Sequence, residues 1–201
     1  MVAIIDYDAG NVKSVEKAVA ALGKHAIVTG NPDEILSAEH VILPGVGAFG
    51  DAMKKLNQYG LADVIRKVIE KKTPFLGICL GLQLLFESSE ESPGVDGLGI
   101  LPGKIVRIPD KDDLKIPHIG WNSLSYPNQG RLFRGVPEQS YVYFVHSYYL
   151  QADEPEIVKA VTEYGVSIHA SVEKENIFAC QFHPEKSSEV GMTILKNFLD
   201  V

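Results

Sequence analysis

From Val2 to Ile78 the chain alternates short, uniformly apolar runs with longer segments whose apolar residues recur every three or four positions. This alternation restricts the fold more than any other feature. Val2-Ala3-Ile4-Ile5, Ala26-Ile27-Val28, Val41-Ile42-Leu43 and Phe75-Leu76-Gly77-Ile78 suit interior strands of a parallel sheet. After Gly10, residues Val12, Val15, Val19 and Leu22 mark one face of a helix, with Gly23 as its C-terminal stop. Leu61, Val64, Ile65, Val68 and Ile69 mark a second. Strand and helix in alternation place helices on the faces of a parallel sheet. Farther along, Lys104–Ile108, Tyr141–Leu150, Ile157–Thr162, Ser167–Glu173 and Ile177–Phe182 read as strands. Glu173–Asn176 reads as a hairpin turn, and Val190, Ile194, Leu195 and Phe198 as a closing helix. The expectation is an α/β fold: a largely parallel central sheet flanked by helices, with a mixed or antiparallel C-terminal half. With no repeat or linker-like shift in composition, residues 1–201 are expected to form one domain.

Charge and composition narrow the partners. Hydrophobic residues make up 45% of the chain and charged residues 22%, as in ordinary globular domains. No segment approaches the roughly 18 apolar residues of a membrane span, and the Val2–Ile5 run is too short for a signal peptide. The net charge is -7, Lys and Arg are scattered, and the densest mixed run, Asp110-Lys111-Asp112-Asp113, is acidic. A basic stripe that would bind nucleic acid is missing. Cys79 and Cys180 form no CxxC pair, so free thiols in a reducing cytoplasm are expected.

The chemistry concentrates in three segments. Gly77-Ile78-Cys79-Leu80-Gly81 follows an expected strand and precedes a helix expected to begin near Leu80. That context fits a nucleophile elbow with cysteine in the nucleophile position, where a tight turn demands small neighbours. The thiol would face a helix N-terminus, which favours a thiolate and a developing oxyanion. The same pattern fits a structural cysteine between two packing glycines. Gln181-Phe182-His183-Pro184-Glu185 ends another expected strand, and residues i and i+2 of extended chain share a side. His183 and Glu185 then pair as imidazole and carboxylate, or else belong to a solvated turn. Leu43 through Gly50, with Gly45 and Gly47, ends a third strand. Ligands of open α/β sheets bind beyond such strand ends. The loop either presents backbone N–H groups to an oxygen or is a plain strand-to-helix turn. GxxxxGK[ST] does not fit it.

Gly77-Ile78-Cys79-Leu80-Gly81-Leu82-Gln83 together with His183-Pro184-Glu185 resembles the class I (triad) glutamine amidotransferase family over almost the whole chain. Within that family, five further blocks resemble the branch that supplies ammonia to a cyclase of histidine biosynthesis. They are Asp6-Tyr7 with Gly10-Asn11, Pro44 to Phe49, Pro117 to Asn122, Tyr143 to Tyr148, and His183 to Ser187. Asp8-Ala9 departs from the family pattern. The Pro44–Phe49 and His118–Asn122 blocks argue against branches serving anthranilate, guanylate or pyridoxal phosphate synthesis. A cysteine peptidase or a non-catalytic binding module on a similar fold remains a different reading. Against these stand Gln83 and the intact triad.

The resemblance implies that Cys79 attacks the glutamine amide, His183 transfers protons and Glu185 orients His183. It implies an oxyanion hole from the N–H groups of Gly47 and Leu80. Gln83, Glu91 and the backbone around His146, Ser147 and Tyr148 would bind substrate. It further implies a heterodimer with a (β/α)₈-barrel cyclase, docked on the face of Asn11, Trp121, Asn122 and Lys186, and no metal or other cofactor. The glycines of Gly45-Val46-Gly47 lower the barriers to backbone rearrangement there, a route by which a partner could switch activity. Cys180 reads as a core thiol, and His25, His40 and His169 lack metal-ligand spacing.

Overall fold

The computed structural model describes residues 1–8, 11–112 and 114–201. Gly10 and Ala9 of the N-terminal block, and Asp113 of the acidic run, lie outside the described residues. In chain order the elements are β1 (Val2–Ile5), α1 (Val12–Ala21), β2 (Ala26–Thr29), α2 (Pro32–Ser37), β3 (His40–Gly45) and α3 (Phe49–Gln58). There follow α4 (Leu61–Glu70), β4 (Phe75–Cys79), α5 (Leu80–Leu84), β5 (Ser88–Ser89), β6 (Gly103–Arg107) and β7 (His118–Ser123). The last are β8 (Tyr141–His146), β9 (Tyr148–Ala152), β10 (Val158–Glu163), β11 (Ser167–Lys174), β12 (Ile177–Cys180) and α6 (Ser188–Leu199).

One sheet runs β2-β1-β3-β4-β12-β11-β9-β6-β5, with β10 paired to β11. From β2 to β12 all neighbours are parallel; β12, β11, β9 and β6 then pair antiparallel. The fold is α/β with the expected division between a parallel and a mixed part. The apolar runs are uniform because both faces are covered. Ala3, Ile5, Val41 and Leu43 pack with α2, α3 and α4 on one side, while Val2, Ile4, Ile42 and Leu76 pack with α1 and α6 on the other. Both faces are dry, so the interior positions of β1, β3 and β4 are apolar. Gly23, at φ 76 just beyond α1, supplies the left-handed stop.

Strand β7 is additional to the elements expected from sequence, and so is helix α2. Its signal is local: Asn31 Oδ1 accepts from Asp33 N at 2.9 Å, and Pro32 occupies the first turn. A second difference is larger. Tyr141–Leu150, expected as one strand, breaks at Ser147 into β8 and β9, which belong to different sheets. β8 pairs antiparallel with β7 in a separate two-stranded ribbon, whereas β9 joins the main sheet between β11 and β6. The break turns the chain across the C-terminal ends of β3, β4 and β12, where the candidate residues gather.

Candidate active site

β4 leads straight into α5, and Cys79 takes the joint with φ 56 and ψ -108, a strained backbone for a residue with a Cβ. The flanking glycines make that turn possible. A Cβ on Gly77 would lie 2.6 Å from the Gly81 carbonyl oxygen, and one on Gly81 would lie 1.9 Å from that of Leu43. The elbow reading therefore describes the local backbone. Helix α5 covers only Leu80–Leu84, so individual N–H groups, and not an extended macrodipole, act near the sulfur.

Parallel pairing sets Gly45 of β3 opposite Cys79, which brings the following loop alongside. Tyr7, fully buried, supports it from beneath by donating to the Pro44 carbonyl at 3.1 Å. Burial and the nearby Cys79 raise the Tyr7 phenol well above its ordinary value. Gly47 has φ 97 with open space around its Cα.

His183 arrives from β12, but not on an extended strand. β12 ends at Cys180, and Pro184–Lys186 form a 3-10 turn that folds Glu185 back under the ring. The imidazole–carboxylate contact expected from i, i+2 spacing thus forms by a turn: His183 Nδ1 lies 2.8 Å from Glu185 Oε1. The turn is pinned to β8, where His183 N donates to the Tyr143 carbonyl at 2.9 Å. Ser187 bridges the same two elements, accepting from Tyr143 N at 2.9 Å and donating to the His183 carbonyl at 2.6 Å. His183 Nε2 is buried without a hydrogen-bond partner among the described residues, which leaves it available to the sulfur side. Burial opposes a charged His183, but the Coulomb attraction of Cys79 and Glu185 and the Nδ1 bond to Glu185 outweigh it and push the ring up to about 9.

A cavity of about 390 Å³ opens over these groups, lined by Gly47, Cys79, Leu80, Gln83, Glu91 and His183 and walled by the β8–β9 break. Gln83 Nε2 donates to the Tyr148 carbonyl at 3.2 Å and to Gln181 Oε1 at 3.1 Å. One Glu91 oxygen accepts from Phe49 N at 2.8 Å at the start of α3, so only the other is available to a ligand. The His146 ring is fully committed: Nε2 meets His118 Nδ1 at 3.0 Å and Nδ1 donates to the Tyr148 carbonyl at 2.8 Å. Its side chain is structural, and the Ser147 carbonyl is likewise taken by Ile108 N. Burial lowers His118 to about 4 and, against the bond to the Tyr148 carbonyl, His146 to about 3, so both rings stay neutral.

Trp121 is half exposed on β7, and its ring meets Tyr143 edge-on at 6.2 Å. Lys186 Nζ sits 5.9 Å over the same Tyr143 ring. Asn122 turns inward, with Nδ2 donating to the Glu163 carbonyl at 3.0 Å and lying 3.3 Å from His118 Nε2. Asn11 precedes α1 without capping it through its side chain. Cys180 is fully buried in the core, as expected. Among the described residues no cluster of three His, Cys, Asp or Glu side chains is arranged to hold a metal, and no helix is long and apolar enough to cross a membrane. Two residues escaped the sequence reading. Gln181 contacts the sulfur, and His118 closes a buried histidine pair.

Residues 3–201 match the family model described as glutamine amidotransferase class-I. The chain is 53% identical to the imidazole glycerol phosphate synthase subunit HisH of Moorella thermoacetica, covering 98% of this chain and 93% of that protein. It is 52% identical to the HisH subunit of Chlorobaculum tepidum over the full length of both. Among solved structures, a glutamine amidotransferase crystal structure superposes with a TM-score of 0.77 at 20% identity, covering 100% of this chain and 98% of that one. PurLQS from Thermotoga maritima superposes with a TM-score of 0.76 at 20% identity, covering 99% and 97%. Such remote neighbours share the fold; the full-length match and the half-identical relatives place the sequence itself. The chain belongs to the class-I glutamine amidotransferase family, on the branch occupied by the HisH subunits.

Proposed function

We propose that the chain is the glutaminase subunit of an imidazole glycerol phosphate synthase. It hydrolyses glutamine to glutamate and ammonia and passes the ammonia to a (β/α)₈-barrel cyclase subunit, which makes imidazole glycerol phosphate and AICAR in histidine biosynthesis. The observation that carries the chemistry is the opening of Cys79 and His183 onto one cavity, with Glu185 Oε1 2.8 Å from the far ring nitrogen. His183 takes the Cys79 thiol proton as the sulfur attacks the side-chain amide carbon. The carbonyl oxygen gains charge facing the N–H groups of Leu80 and Gly47. His183 gives its proton to the departing nitrogen, the C–N bond breaks, and ammonia leaves a glutamyl thioester. Water then attacks the thioester, His183 takes the proton of the water, and glutamate departs with the sulfur restored. Glu185 keeps Nδ1 engaged so that Nε2 performs each transfer. Gln83, the free oxygen of Glu91 and the backbone from His146 to Tyr148 hold the substrate.

Asn11, Trp121, Asn122 and Lys186 mark the docking face for the cyclase. The Gly45–Gly47 loop offers a switch, because the peptide must turn an N–H toward the substrate to complete the oxyanion hole. The test is mass-spectrometric labelling with 6-diazo-5-oxonorleucine, followed by glutaminase assays on the isolated chain and on the chain with its cyclase and a cyclase ligand. Label on Cys79 and a rate that rises with the liganded partner support the reading. A folded Cys79→Ala protein with wild-type glutaminase activity sinks it.

A further inference from the structure

We propose that Gln181 is a further catalytic residue, donating its side-chain N–H to the Cys79 sulfur and tying the nucleophile to Gln83. The proposal rests on the reading of Cys79 as the nucleophile. Gln181 follows β12 directly, is 0% exposed, and its backbone N donates to the Ala170 carbonyl at 2.8 Å. Its amide lies between two site residues: Nε2 is 3.6 Å from Cys79 Sγ, and Oε1 is 3.1 Å from Gln83 Nε2.

The direction of this chain follows from the one group whose role is fixed. The Tyr148 carbonyl can only accept, so the Gln83 atom 3.2 Å from it is the nitrogen. That nitrogen needs an acceptor on Gln181, which must present Oε1. The remaining Gln181 atom, its NH₂, is thereby aimed at the sulfur. A donor there stabilises negative charge on sulfur and, by holding Sγ against Gln83, sets the angle of attack on whatever Gln83 positions. Neither bond serves the sheet: β12 pairs with β4 and β11 through its backbone. A leucine would fill this dry position without needing partners, so the amide's two bonds into the site are its distinguishing feature.

Iodoacetamide alkylation followed by peptide mass spectrometry tests this in the full-length chain, using Gln181→Leu and Gln181→Met, which keep bulk and remove the donor. Cys180, fully buried, is an internal monitor because it is labelled only when the chain opens. The expected result is Cys79 labelling slowed about tenfold or more, less than for loss of an oxyanion-hole donor because N–H···S bonds are weaker. Cys180 should stay unlabelled, and glutaminase kcat should fall with KM nearly unchanged. Wild-type labelling of Cys79 in a variant with Cys180 protected overturns the proposal. Labelling of Cys180 in both variants also overturns it, by assigning Gln181 to the fold alone. Failure of the underlying reading looks different: Cys79→Ser would retain glutaminase activity, whatever the Gln181 variants do.

Discussion

Glu185 Oε1 meets His183 Nδ1 at 2.8 Å with the two side chains only 1% and 3% exposed, while Glu185 Oε2 has no partner among the described residues. Among the described residues the carboxylate thus has the ring as its only hydrogen-bonding partner, which defines a hierarchy of losses. Cys79→Ala should abolish glutaminase activity, and His183→Ala should lower it by about 10³-fold or more. Glu185→Gln, which keeps an acceptor on Nδ1, should cost about 10–100-fold, since it orients and charges the ring without moving a proton itself. Steady-state kinetics of the three folded variants checks the order; equal losses would remove the distinction between base and orienting residue.

The histidines divide the pH dependence of stability into two limbs. His118 and His146, held neutral near 4 and 3, cannot take up the protons their unfolded forms bind below about 6.5. Stability therefore falls as pH drops from about 6.5, by up to about 1.4 kcal/mol per pH unit for each ring. His183 has the opposite sign. Its pKa is raised to about 9, so its contribution is complete below about 6.5 and lost as pH rises through about 9. Thermal unfolding from pH 5 to pH 10 should peak near pH 6.5. His118→Gln should flatten the limb between pH 5 and 6.5, and His183→Gln the limb up to pH 9. A variant with an unchanged limb would reject that assignment.

Much of this was legible in sequence where the constraint is local. Gly77 and Gly81 announce the elbow because a Cβ at either would strike backbone. The uniform apolar runs of β1, β3 and β4 announce a sheet covered on both faces. Contacts made across the fold left no such trace. Ser147 interrupts an apolar and aromatic stretch that reads as one strand; the break exists because β8 and β9 have partners in different sheets. His118 meets His146 only through the β7–β8 register. Gln181 looks like any polar residue at a strand end until Tyr148 and Gln83 define its direction.

The glycines predict a separation of stability from activity. Gly81→Ala forces a Cβ to 1.9 Å from the Leu43 carbonyl oxygen, which belongs to a central strand and cannot yield cheaply. It should destabilise the fold by about 1–3 kcal/mol or more. Gly47→Ala meets open space but must hold φ 97, a conformation costly for alanine. The loop should relax toward another conformation, leaving the unfolding midpoint nearly unchanged and lowering kcat about 10²-fold through the lost N–H. Midpoints and rates measured side by side decide this, and a fully active Gly47→Ala would remove Gly47 from the oxyanion hole.

The β7–β8 ribbon carries Ile119, Trp121 and Tyr141, which are 59%, 50% and 57% exposed. Trp121 is also joined through Tyr143 to Lys186, one residue past Glu185. Large aromatic groups left in water next to the Pro184–Lys186 turn suit a partner that covers them, and such anchors contribute about 2 kcal/mol or more when buried at an interface. Trp121→Ala should therefore weaken binding to the cyclase subunit by about 30-fold while barely moving the unfolding midpoint of the isolated chain. Asn122→Ala should behave differently. Its amide bonds inward, to the Glu163 carbonyl and toward His118, so its loss should lower stability first and affinity only secondarily. Calorimetric titration with the cyclase, paired with unfolding curves, distinguishes the two. Unchanged affinity in Trp121→Ala would move the docking face off this ribbon, and weakened binding with unaltered stability in Asn122→Ala would make its amide a direct contact.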